Sequence, residues 1–241
     1  LDGFLVGYVL GVAVLSLMLA WPFLFSEGLP RTNDAERYAF RSADLAQALR
    51  EGWLYPRWSA HAMFGYGAPI PNFEAPAAPY LTALIEVLFT NDPVVAVRLV
   101  FILSFLLAGT GTYLLARRHS EAGTAIIAAT LYVYSPQVGL NAPHLSGDLA
   151  IMLGLGLLPW TVWQMGRMLW QQRSRAIALG ALLQALLLLT EPRIWACNVV
   201  IIAGMALLAL MQQRHSRALI QSLSMIILSL GLSAFYWLPA L

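Results

Sequence analysis

Long apolar runs separated by short polar turns fill most of the chain. A helix that crosses a bilayer needs about 20 apolar residues, with roughly 17–25 tolerated. Runs of that kind occupy 3–25, 94–116, 121–138, 149–168, 176–190, 194–212 and 217–238. The pattern predicts an all-α fold, a polytopic membrane helix bundle of about seven transmembrane helices. The run 79–90 is shorter, holds Glu86 and is bounded by Pro79 and Pro93; segments of about that length lie at the interface or re-enter more often than they span.

Between the first two spans lies a large loop, 26–93. Its stretch 34–50 predicts a helix capped by Asn33, with Ala35, Tyr38, Ala39, Leu45, Ala46 and Leu49 as an apolar stripe suited to a membrane surface. Trp53-Leu54-Tyr55-Pro56-Arg57-Trp58, then Gly65-Tyr66-Gly67, then a Pro-rich stretch 69–79, have the aromatics and turn formers of a headgroup boundary. Gly3, Gly7 and Gly11 recur on the first span and predict close helix packing.

Arginine placement orients the bundle, because short cytoplasmic loops are enriched in basic residues. If 79–90 does not span and the N-terminus is inside, three basic turns all become cytoplasmic. They are Arg117-Arg118-His119, Arg167 to Arg175, and Arg214 to Arg217. The expectation is therefore seven spans, N-inside, with 26–93 as an extracytoplasmic first loop bearing juxtamembrane helices. Residues 139–148 and 191–193 fall on the same outer side.

Composition agrees. The chain has 241 residues, of which 59% are hydrophobic and 11% charged, where a soluble domain carries about 25% charged. The size fits a single membrane domain, 1–241. All 14 basic residues are Arg, without the basic run that binds nucleic acid. One cysteine, Cys197, allows no internal disulfide. The chain opens on Leu1 and closes on Trp237-Leu238-Pro239-Ala240-Leu241, so it reads as truncated at both ends, the N-terminal part of something longer.

Acidic groups are costly in such a chain, so three of them stand out on one predicted face: Asp34, Asp148 and Glu191. Asp34 suits a general base or a ligand to a divalent cation such as Mg or Mn; an exposed first-turn acid is the plainer reading. His144 and Asp148, four residues apart, share a face if their helix extends back to 144, a spacing that holds metal or phosphate. Asp148 also suits a helix N-terminus without further role. Glu191 and Arg193 either pair with each other or leave Arg193 for a phosphate. Arg57 is a second phosphate-binding candidate, or a side chain that snorkels to headgroups.

The order of parts resembles a known superfamily. An early Asp follows the first span, then come "LREGWLYPRW", "GYGAPIPNFEAPAAPYL", "GTYLLARRH", "YSP", an acid before "LLPW", and "AFYWLPAL". This resembles the polytopic GT-C glycosyltransferases, and within them the YfhO-type bacterial membrane proteins, over nearly the whole chain. The resemblance implies transfer of a sugar from a polyprenyl-phosphate donor to an acceptor on the extracytoplasmic face of the bacterial cytoplasmic membrane. It puts the first-loop Asp on Asp34 and the acid after the third span on Asp148, as catalytic residues or metal ligands. The chain departs from such relatives at Arg37, at Phe73-Glu74-Ala75-Pro76 and at Thr190-Glu191. Those changes fit a different substrate or a chain that has lost catalysis.

The leading expectation is a glycosyltransferase with Asp34 and Asp148 catalytic and Arg57, Arg193, His144 and Glu191 binding substrate, in contact with membrane lipid. The alternative is a non-catalytic structural subunit of a larger membrane complex, with membrane-protein partners. A transporter would carry charges at the membrane midplane, and here they cluster near span ends.

Overall fold

A computed structural model describes residues 3–171, 174–211 and 218–240. The described residues form helices and turns, with one isolated antiparallel bridge, Ser59 to Ala68, and no strand.

The first span is not continuous. Helix α1, Gly3–Leu19, ends before α2, Trp21–Phe25. Pro22 lacks the amide a continuing helix needs, and its ring crowds the preceding turn. Within α1, Gly7 and Gly11 face open space, contrary to the packing expected of them. Contact with the bundle runs instead through Val12 and Ser16, which meet Gly109.

Helix α3, Ala35–Arg50, takes up the predicted loop helix. Its stripe is buried against protein and not laid on a membrane surface: Ala35, Tyr38, Ser42, Leu45 and Ala46 are covered. Asn33 does not cap it. The Ala35 amide donates to the Thr32 hydroxyl at 3.2 Å. After the short α4, Ile70–Phe73, helix α5, Ala77–Ile85, runs into a π-helical turn, Glu86–Thr90. Glu86 is buried there and accepts from Ser42 Oγ at 2.8 Å.

Helix α6, Pro93–Arg117, is the hub and packs against α1, α3, α5, α7 and α8. Its start is well made. Asp92 Oδ1 accepts from the amides of Val94 at 2.8 Å and Val95 at 3.3 Å, and Pro93 needs no partner at the first helical position. Helix α7, Ala122–Val133, is shorter than the predicted span 121–138. Pro136 holds Ser135 in extended backbone (ψ 148°), and the chain continues as a π-helical segment, Pro136–Ser146.

Helices α8, Leu149–Gln171, α9, Ser174–Thr190, α10, Pro192–Met211, and α11, Ala218–Leu232, complete the bundle, and α12, Ala234–Trp237, closes it. Glycines elsewhere in the bundle serve packing. Gly111 accommodates Trp160, whose Nε1 donates to Leu107 O at 2.9 Å, and Gly154 lets Ile194 and Glu191 approach α8.

Among the described residues, three helices are long and apolar enough to cross a membrane: 93–117, 149–169 and 192–211. Among the same described residues, four more apolar helices, 6–19, 77–90, 175–190 and 218–232, are shorter. Arg118 lies beside Gly166, near Arg167, so these arginines occupy the end of α8 opposite Asp148. Of the other expected basic turns, 172–173 and 214–217 lie outside the described residues.

Candidate functional site

Four residues of α3 and its start, Asp34, Arg37, Tyr38 and Arg41, recur at helical spacing and so share one face. That face meets the N-terminus of α8 and shares a cavity with the joint between α9 and α10. The Asp34 amide donates to Ser146 O at 2.9 Å, tying the start of α3 to the chain just before α8. Gly147 makes this approach possible. Its φ is +66°, and a Cβ there would lie 2.9 Å from the Ala35 nitrogen and closer still to Thr32.

Asp148 caps α8. Its Oδ1 accepts from the Ile151 amide at 3.0 Å and from the Tyr38 hydroxyl at 2.8 Å. The Tyr38 oxygen in turn accepts from the Ala150 amide at 3.3 Å. Burial first, and then the Asp148 carboxylate, push the Tyr38 phenol well above its ordinary range, so it stays a proton donor to Asp148.

Around this pair lies a cavity open to solvent. Arg37, Arg41 and Arg193 line it, together with Glu74, Asp148 and Glu191. Arg41 makes a two-pronged ion pair with Glu74, and its side chain is only 12% exposed. Burial, and next the neighbouring Arg37, lower the Arg41 guanidinium to about 10, which leaves it cationic at neutral pH. Glu191 is buried and grips Arg193: Oε1 accepts from Nε at 2.7 Å and Oε2 from Nη2 at 3.1 Å. The Arg193 head remains 74% exposed, at the mouth.

Of the residues expected from sequence, Asp148, Glu191 and Arg193 line this cavity. Asp34 stands behind its rim, with a carboxylate oxygen 3.6 Å from Arg37 Nε. His144 does not join them. Gly147 breaks the helix between 144 and 148, so the two residues share no helical face. His144 Nε2 instead meets Leu19 O at 3.1 Å, and its ring lies against Phe23 and Phe105. Burial lowers its pKa, which keeps the ring neutral. Arg57 is also elsewhere. It is exposed, with its guanidinium 5.6 Å from the centre of the Tyr55 ring.

Tyr38, Arg41 and Tyr236 line the cavity with no signal of that role in the sequence, where Arg37 and Glu74 stand out only as departures from the family pattern. Among the described residues no group of three or more His, Cys, Asp or Glu side chains is poised for a metal ion. Asp148 Oδ1 is taken by two donors, Asp34 faces Arg37, and Glu74 and Glu191 are each paired with an arginine. That donor set does not fit the divalent cation expected at Asp34 and Asp148.

A helical bundle with apolar spans and a charged cavity at one end of them defines an integral membrane protein with a polar site built where its helices begin. Residues 72–241 match the family described as "6-pyruvoyl-tetrahydropterin synthase related domain; membrane protein", and the chain belongs to that family. The match includes Glu74, Asp148, Glu191 and Arg193, while the α3 residues precede it. No curated protein matches the chain.

Proposed function

We propose that this protein is a glycosyltransferase that moves a sugar from a polyprenyl-phosphate donor to an acceptor on the extracytoplasmic face of a bacterial cytoplasmic membrane. The observation that carries this reading is Asp148, a carboxylate oriented by Tyr38 inside a cavity that also holds three arginines. The donor phosphate would meet Arg193 and Arg37, the two guanidinium groups open to the mouth. Its polyprenyl chain would lie along the apolar helices, which expose large hydrophobic side chains. Asp148 is then the base. An acceptor hydroxyl attacks the anomeric carbon, the bond from that carbon to the phosphate oxygen breaks, and the lipid phosphate leaves with the electron pair. The hydroxyl proton goes to Asp148. Tyr38 positions the carboxylate, Asp34 positions Arg37, and Glu191 positions Arg193. Positioning and charge neutralisation supply the rest.

One observation favours a second reading, a non-catalytic structural subunit of a membrane complex. Each arginine of the cavity already has a carboxylate partner: Arg37 with Asp34, Arg41 with Glu74, Arg193 with Glu191. Donor turnover separates the two. Membranes containing the full-length protein are given polyprenyl-phosphate sugar and a native envelope extract as acceptor source, and released polyprenyl phosphate is measured. Release that Asp148→Asn abolishes supports the transferase. Equal release by wild type, Asp148→Asn and empty membranes supports the subunit.

A further inference from the structure

A second cavity lies beside the first. Arg41, Glu74, Ala75 and Pro79 line both, so the Arg41–Glu74 ion pair is part of their common wall. The second cavity is built by the first loop. Its lining includes Tyr55, Trp58, Tyr80 and four prolines, with Asp44, Glu51 and His61 as further polar groups.

These groups are held in place. Asp44 Oδ2 accepts from Ser59 Oγ at 2.5 Å, while Oδ1 accepts from the His61 amide at 3.2 Å and meets His61 Nδ1 at 2.6 Å. A carboxylate only accepts, so Nδ1 carries a proton, and in the neutral ring Nε2 is the acceptor. The backbone is pinned at the same place, since Ser59 and Ala68 exchange amide-to-carbonyl bonds of 2.8 and 3.0 Å. The Trp58 indole lies against Gly67, where φ is +78° and a Cβ would overlap the ring. Tyr80 is fixed as well, its hydroxyl donating to Leu54 O at 2.8 Å.

We infer that this second cavity is the acceptor site, and that it takes a hydroxylated ring compound of the sugar class. The inference rests on the transferase reading above. The apolar C–H face of such a ring packs on an indole, and its hydroxyls donate to acceptors, here His61 Nε2 and the Glu51 carboxylate, whose Oε1 accepts from Gln47 Nε2 at 2.7 Å. A ligand defined by a cation is disfavoured. The Tyr55 ring already faces the Arg57 guanidinium, and the Asp44 carboxylate is taken by three donors. The common wall brings an acceptor bound here next to the charged cavity in which the donor would sit.

The test uses full-length protein in lipid nanodiscs, with maltose and choline as probes and Trp fluorescence and calorimetry as readouts. Wild type is expected to bind maltose at millimolar concentration and choline not at all. Trp58→Leu and His61→Gln each weaken maltose binding by about tenfold or more, the scale of one lost packing or hydrogen-bonding contact. Maltose binding is measured without donor, and release of polyprenyl phosphate is measured separately, so failure of the donor reading and failure of this one are told apart. Circular dichroism confirms that each variant is folded, and Glu27→Ala, exposed and outside both cavities, is a folded control expected to bind like wild type. The inference is overturned if choline binds in preference to maltose, if no maltose binding is detected, or if Trp58→Leu and His61→Gln bind as wild type while folded.

Discussion

The Tyr38 hydroxyl donates to Asp148 Oδ1 at 2.8 Å across 110 residues of sequence. This contact joins the first-loop helix α3 to the start of α8 and fixes the carboxylate on which the proposed chemistry depends. Tyr38→Phe removes the donor and leaves the ring. A hydrogen bond to a charged group contributes about 1.5–3 kcal/mol, so the variant is expected to lose about that much stability in denaturant titrations. A cycle with Asp148→Asn is expected to give a coupling of about 0.5–3 kcal/mol, as for residues in direct contact. Strict additivity would mean that the contact holds nothing.

The same pair sets an alkaline limit. The Tyr38 phenol is raised above its ordinary value of about 10. A group whose folded pKa exceeds its unfolded one stabilises fully below the unfolded value and loses that contribution as pH rises towards the folded value. Melting temperature is therefore expected to fall from about pH 10 upward, more steeply in wild type than in Tyr38→Phe. Parallel curves for the two proteins would remove Tyr38 as the source.

Gly147→Ala tests the crossing between the chain before α8 and the start of α3. The left-handed backbone costs an L-residue about 1–2 kcal/mol, and here the added methyl also meets Thr32 and Ala35. The expected loss exceeds the backbone cost alone, and the 34–41 face is expected to detach. Faster amide exchange over 32–41 would report this, while Gly123→Ala, in open space, is expected to be near neutral.

Glu74→Gln leaves the Arg41 charge without its partner. Breaking a buried pair costs about 3–5 kcal/mol, and the part-open Glu74 side chain reduces this to about 1–3 kcal/mol. Double replacement by Arg41→Met and Glu74→Met is expected to recover much of it. A double variant as unstable as Glu74→Gln would contradict the assignment of an ion pair.

The helices were legible because apolar runs of spanning length leave little choice of structure in a membrane. Their breaks were less so. Pro22 and Pro136 were visible in the sequence, yet the interruptions they cause shorten two predicted spans. Asp148 and Glu191 stood out because acids are rare among such residues. Tyr38 and Arg41 did not, since a half-apolar helical stripe reads alike whether lipid or protein covers it. His144 misled for a physical reason: four-residue spacing puts two side chains on one face only within an unbroken helix, and Gly147 breaks it. Asn33 misled in the same way, because the capping oxygen comes from Thr32.

The central claim is that the cavity around Asp148 holds a polyprenyl-phosphate. The most direct measurement is native mass spectrometry of the full-length protein extracted from its own membranes, with every copurifying lipid and protein identified. A retained polyprenyl-phosphate species is expected, lost or strongly depleted in Arg193→Ala and Arg37→Ala and kept in Arg57→Ala, which lies outside the cavity. Stoichiometric partner proteins with no such lipid, in wild type and variants alike, would contradict the claim.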